Sequence, residues 1–127
     1  MSILSHITVG TNNMEKADEF YSQTLAPLGI KKIDAIEGVT TMFGVEGPEF
    51  FVSTPRNGEP ATYANGGTIG FMAPSRAAID AFHAAAMANG GTDEGAPGPR
   101  DFAPNAYAAY LRDPDGNKLC AVCFAPA

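Results

Sequence analysis

Thr68-Ile-Gly-Phe-Met-Ala-Pro-Ser75 begins the second half of the chain much as Ile3-Leu-Ser-His-Ile-Thr-Val9 and Asn12-Asn13 begin the first. Both runs alternate apolar with small or polar residues, the period of a strand with one buried face. Each is followed by a residue that caps helices well: Asn12 or Asn13 in the first half, Ser75 in the second. If Asn12 is the cap, Glu15 is placed to complete a capping box. Apolar stripes at helical spacing come next, Met14, Ala17, Phe20, Tyr21, Leu25 and Leu28, then Ile79, Phe82, Ala85, Ala86 and Met87. Pro27 with Gly29 stops one helix and Gly90-Gly91 stops the other. Sliding the chain on itself by 62 positions sets Ile7 on Ile69, Asp18 on Asp80, Phe20 on Phe82, Ala26 on Ala88 and Gly29 on Gly91. Identities are few, so the shared order of strand, cap, helix and glycine is the stronger sign of a repeat.

Working outward, short strands are expected around 30–36, 39–45 and 49–53, punctuated by Glu37-Gly38 and Glu46-Gly47-Pro48. In the second half an irregular run over 92–105 precedes strands near 106–112 and 117–124. Asp113-Pro-Asp-Gly116 joins these last two, with proline fixing one φ and glycine free to take a positive one. The order predicts an α+β fold of two βαβββ modules, 1–56 and 68–127, within a single domain spanning 1–127. A polar linker, 57–67, carries Asn57-Gly58, Pro60 and Asn65-Gly66-Gly67. Modules this small bury little core alone, so they should share a sheet or an intervening cavity.

The chain of 127 residues is 45% hydrophobic, enough for a core without staples. Eight Lys and Arg against fourteen Asp and Glu leave a net charge of −6. That balance speaks against nucleic acid and against anionic membranes, both of which need clustered cations. Two cysteines make no disulfide framework, no basic-then-apolar leader precedes the first strand, and no apolar run approaches a membrane span. A cytoplasmic protein is expected.

His6-Ile-Thr-Val, Met14-Glu-Lys-Ala-Asp-Glu-Phe-Tyr21 and Leu25-Ala-Pro-Leu-Gly29 resemble the first module of the vicinal-oxygen-chelate superfamily. That group includes glyoxalase I, bleomycin-resistance proteins and extradiol dioxygenases. Gly67-Thr-Ile-Gly-Phe71, Ala81-Phe-His83, Gly90-Gly91 and Tyr107-Ala-Ala-Tyr-Leu-Arg-Asp-Pro-Asp-Gly-Asn117 resemble the second module. The resemblance covers the whole chain, and the strand ending in Asp-Pro-Asp-Gly-Asn is its most specific piece. It implies strands curled into an open-barrel mixed sheet around a cavity, helices outside, and a homodimer. It also implies a divalent metal (Zn, Ni, Mn or Fe) held by the first and last strands of each module.

Alternation places Leu4, His6 and Thr8 on one face, with Thr68, Gly70 and Met72 as their counterparts. Aligning Gly47 with Gly116 makes Phe51 correspond to Cys120. The positions that resemble the family's ligand sites are then His6, Phe51, Thr68 and Cys120. Metal-bearing members offer histidine, glutamine or glutamate there, whereas phenylalanine cannot ligate and neutral threonine is a poor donor. His6 and Cys120 alone give two points, short of the three or four that stable sites need. No complete metal centre and no other cofactor are therefore expected, and any metal would rest on His6 and Cys120. Residues three apart on a strand point oppositely, so Cys120 and Cys123 should not share a metal.

His6 has three readings: a polar residue lining a cavity, a remnant metal ligand, or an acid–base group. Cys120 reads as a packed thiol in preference to a nucleophile, and His83 as a solvent-exposed helix residue. With a four-residue loop at 113–116, Tyr107 faces Val122 and shares the cavity side; one residue of slippage substitutes Tyr110. Arg100, in a stiff proline-rich loop, is placed to clamp a carboxylate or phosphate, or to be solvated. Arg56, the last residue of the first module, and Asn57 and Tyr63 on the linker form a candidate lid. The function these features favour is binding of a small organic ligand, with or without metal-free chemistry. A metal-dependent lactoylglutathione-lyase-like enzyme or dioxygenase would need Glu49 or Asp115 to complete a site with His6. A third reading is sequestration of a cationic drug. Whether the chain is an enzyme stays open at this point.

Overall fold

In the computed structural model, which describes residues 3–126, strand β1 (Ile7–Gly10) leads into helix α1 (Met14–Leu25) and a 3-10 turn (Ala26–Leu28). Strands β2 (Lys31–Ile36), β3 (Thr40–Gly44) and β4 (Pro48–Ser53) complete the first module. The second comprises β5 (Ile69–Met72), α2 (Arg76–Ala88), β6 (Thr92–Pro99), β7 (Tyr107–Arg112) and β8 (Lys118–Cys123). Each module forms a four-stranded mixed sheet, ordered β1-β4-β3-β2 and β5-β8-β7-β6. Only the first strand of each runs parallel to its neighbour. The two sheets do not hydrogen-bond to one another, so the strands form no closed barrel. This is the α+β architecture of two βαβββ modules that the sequence repeat predicts. The repeat even fixes register: Ile7 pairs with Phe50 as Ile69 pairs with Leu119.

The helices pack on each other and on one face of the sheets. Ala17, Phe20, Tyr21 and Leu25 of α1 and Ile79, Phe82 and Ala86 of α2 are buried. These are the apolar stripes, and their burial is what holds marginal helices of this length. Gly91 is needed for this approach: a Cβ there would stand 2.9 Å from the Ala86 oxygen and 3.0 Å from the Phe20 ring. The left-handed counterpart of Gly29 (φ 79°) is Gly90 (φ 95°), one residue before the position the repeat aligns.

Two local expectations change, and one alternative is settled. Residues 3–6 lie outside β1, because pairing with β4 begins at Ile7. Asn13 is the cap of α1, its Oδ1 accepting from Lys16 N at 3.1 Å. Asn12 instead pairs its side chain with both backbone groups of Ala61, so no capping box forms. The supposedly irregular run 92–105 contains β6, an edge strand with two register shifts, at Asp93/Gly95 and Gly95/Gly98. Thr-Asp-Glu-Gly-Ala-Pro-Gly-Pro has no apolar alternation to reveal it, and prolines are tolerated at a bulged edge.

The Asp-Pro-Asp-Gly-Asn loop clasps one module to the other. Asp113, 3% exposed, accepts from the Tyr21 hydroxyl at 2.5 Å, from both nitrogens of Asn117, and from Asp115 N. Asn117 Nδ2 also donates to the Gly10 oxygen at 3.1 Å. Asp115 accepts from the Thr11 hydroxyl at 2.6 Å and from Asn12 N at 2.9 Å. Burial, reinforced by the Asp113 charge, pushes the Tyr21 hydroxyl well above its ordinary 10.0. A raised pKa means the associated stability is whole below pH about 10 and is lost as pH climbs towards the folded value. Urea midpoints measured from about pH 8 to about pH 11 should therefore fall steeply in the parent chain. Tyr21→Phe should flatten that fall while costing about 1–3 kcal/mol at the lower pH.

Candidate functional site

Between the two sheets, where β1 and β5 face one another unpaired, lies a cavity of about 340 Å³. Ile7, Phe43, Phe50, Ile69 and Phe71 form apolar walls, with Leu28 from the 3-10 turn. Phe50 meets Phe71 edge to face at 5.1 Å, an aromatic contact across the gap. His6 and Glu49 are polar groups on its border. His6 stacks on Phe51, ring centroids 4.7 Å apart at 19°, and its Nδ1 is 2.9 Å from the Ser5 hydroxyl. The stack follows from register: Phe51 sits opposite Thr8, two residues on from His6 and so on the same face.

The other expected residues do not join this cavity. Thr68 is exposed, one position before β5. Cys120 is buried opposite Gly70 on one side and Tyr110 on the other. The hairpin pairs Asp113 with Asn117, so its register differs by one from a four-residue loop, and Tyr110 replaces Tyr107 on the Cys120 face. Tyr107 is corrected to the helix side, donating to Asp80 of α2 at 2.6 Å beneath Arg76. Arg100 lies over the Tyr110 ring, 5.7 Å from its centroid. Burial raises the Cys120 thiol, although Tyr110, Arg100 and Lys118 pull it the other way, which suits a packed thiol. Cys123 is a second buried free thiol, on the opposite face of β8.

His83 is corrected from solvent-exposed to largely covered, its side chain 14% exposed and its Nε2 2.8 Å from Asp93. Of the candidate lid, Tyr63 packs on Arg112 at 5.2 Å and against Gly116, while Asn57 closes a local turn to Glu59 N. Lys118, missed in the sequence, sits 5.5 Å from the Tyr110 centroid. Its alternation with Cys120 and Val122 was the available signal.

The donor set does not fit a chelated metal. One of the four corresponding positions holds a phenyl ring, already stacked on His6. Asp115 is committed to Thr11 and Asn12. Among the described residues no three of His, Cys, Asp or Glu converge as a metal-holding group.

Paired βαβββ sheets around an open cavity define the class, and comparison with known proteins agrees. Residues 3–121 match the model of the Glyoxalase/Bleomycin resistance protein/Dioxygenase superfamily, and the chain belongs to that family. It is 48% identical to a glyoxalase/bleomycin resistance protein from Albidiferax ferrireducens T118, with TM-score 0.89, covering 95% of this chain and 98% of that one. A glyoxalase/bleomycin resistance protein/dioxygenase family enzyme from Burkholderia phytofirmans PsJN shares the fold at 18% identity and TM-score 0.72, over 98% of this chain and 100% of that chain. So does a lactoylglutathione lyase from Agrobacterium tumefaciens, at 20% identity and TM-score 0.67, over 96% and 93%. No curated protein matches the sequence. No helix among the described residues is long and apolar enough to cross a membrane.

Proposed function

We propose that the protein binds a small, largely apolar organic molecule in the cavity between its sheets, without a complete metal centre. The observation that carries this reading is the cavity itself, apolar on its walls and bordered by one imidazole and one carboxylate. A volume of about 340 Å³ is at the small end of ligand sites. Burying apolar surface there supplies affinity, and His6 and Glu49 supply orientation. The same two groups favour a second reading, metal-independent proton transfer on the bound molecule, for which an imidazole is suited near neutral pH.

Zinc, nickel, manganese and iron(II) titrated separately should show no stoichiometric tight binding. Tight binding of any of them that disappears in His6→Ala would overturn the metal-free part of the proposal. It would restore the metal-dependent lyase or dioxygenase reading. An assay for drug resistance without chemical turnover separates sequestration from catalysis. Homodimer formation belongs to the same proposal, and light scattering measures it directly.

A further inference from the structure

The face of the second sheet that carries Tyr110 and Cys120 also carries Arg112 and Lys118, because the ladder pairs Tyr110 with Cys120 and Arg112 with Lys118. Arg100 folds onto this face from just beyond the end of β6. Its Nη1 donates to the carbonyls of Gly98 at 2.8 Å and Pro99 at 3.2 Å, and its Nη2 to that of Ala96 at 2.9 Å. Nε–H and one Nη2–H keep no protein acceptor among the described residues. Gly95 and Gly98 hold the guanidinium close: a Cβ on either would stand 3.3 Å from one of its nitrogens.

Arg100 and Lys118 thus approach one tyrosine ring, at 5.7 and 5.5 Å from its centroid. Among the described residues neither has a carboxylate within 4.0 Å, whereas neighbouring Arg112 has Glu94 at 3.6 Å. In a chain of net charge −6, two cations without a counter-charge on one ring are unexpected as a mere solvated face. Both cations also draw the neighbouring Cys120 thiol down, so their fields converge beside that ring, and the free N–H bonds of Arg100 are the donors an anion there needs.

We propose that Arg100 and Lys118, set by the Tyr110 ring, bind the oxyanion of a small organic molecule, a carboxylate or a phosphate ester. This site stands on residues outside the apolar cavity and does not depend on the cavity being occupied. The test is a titration of the full chain with sodium phosphate and, separately, sodium benzoate, followed by amide NMR at constant ionic strength. Saturable shifts are expected at Gly95, Gly98, Tyr110 and Cys120. Response to phosphate alone, benzoate alone or both identifies the oxyanion class. Lys118→Gln, which breaks no hydrogen bond, should weaken binding about tenfold. Arg100→Lys, keeping the charge without the planar fork, should weaken it as well. The proposal is overturned if neither probe shifts this face, if sodium chloride shifts it equally, or if the shifts survive both substitutions unchanged. Signals from Ile7, Phe50 and Phe71 report the apolar cavity independently, so failure of one site is distinguishable from failure of the other.

Discussion

Asp113→Ala is expected to remove about 3–5 kcal/mol of stability, measured as a fall in the urea midpoint at neutral pH. The side chain accepts four hydrogen bonds, from Tyr21, Asp115 and twice from Asn117, in a site that is 3% exposed. Alanine leaves those donors in a space too dry to rehydrate them, and each orphan costs about 1–3 kcal/mol. A domain of this size has only about 5–15 kcal/mol in total, so the variant should be close to unfolding at body temperature. Asp113→Asn should lose less, because its remaining oxygen still serves Asp115 N and Asn117 N. A loss below about 1 kcal/mol for the alanine variant would show that water replaces the carboxylate and that the clasp is dispensable. Burial outweighs the hydrogen bonds and raises the Asp113 pKa above its ordinary 3.8. Its titration therefore contributes stability that is whole below that value and lost as pH rises through the folded pKa, so Asp113 is not a cause of acid unfolding.

Gly44→Ala should cost about 3 kcal/mol for a different reason. At the end of β3 an added Cβ would lie 1.8 Å from the Gly47 carbonyl oxygen and 2.8 Å from its carbon. The obstacle is backbone, so no rotamer change relieves it. The turn between β3 and β4 must open, and with it the cavity wall formed by Gly44, Val45 and Glu49. Loss of stability and loss of ligand binding should appear together. Gly47→Ala, where nothing lies within 4 Å, is the matched control and should shift stability by less than about 0.5 kcal/mol. Equal effects from the two substitutions would rule out the steric explanation.

Much of the fold was legible because its elements announce themselves by period. The stripes of α1 and α2 and the restart at Thr68 were sufficient to establish two modules; the 62-residue offset matches β1 with β5, and the separate alignment of Gly47 with Gly116 matches β4 with β8. β6 was illegible, since its backbone pairs without an alternating apolar face. At the site, His6 and Phe51 were grouped by the family resemblance and the Gly47–Gly116 alignment, and the two rings do stack. Tyr107 did not, because one residue of loop length turns a whole strand over. Here the loop closes between Asp113 and Asn117, through bonds that only the Tyr21 partner and the buried setting make favourable. The Arg100–Lys118 pair required both that register and the backward fold of Arg100 onto its own strand.

The clasp also sets a condition on how the chain reaches this structure. Thr11 and Asp115, 104 positions apart, are direct partners, as are Tyr21 and Asp113, 92 apart. The repeat aligns Tyr21 with His83, yet His83 turns to Asp93 within its own half. The duplicated halves are therefore not interchangeable, and the first cannot satisfy its most deeply placed phenol until the last hairpin arrives. A chain released from synthesis before its final strands should hold an unfinished amino-terminal half, with closure of the long loop as the slow step.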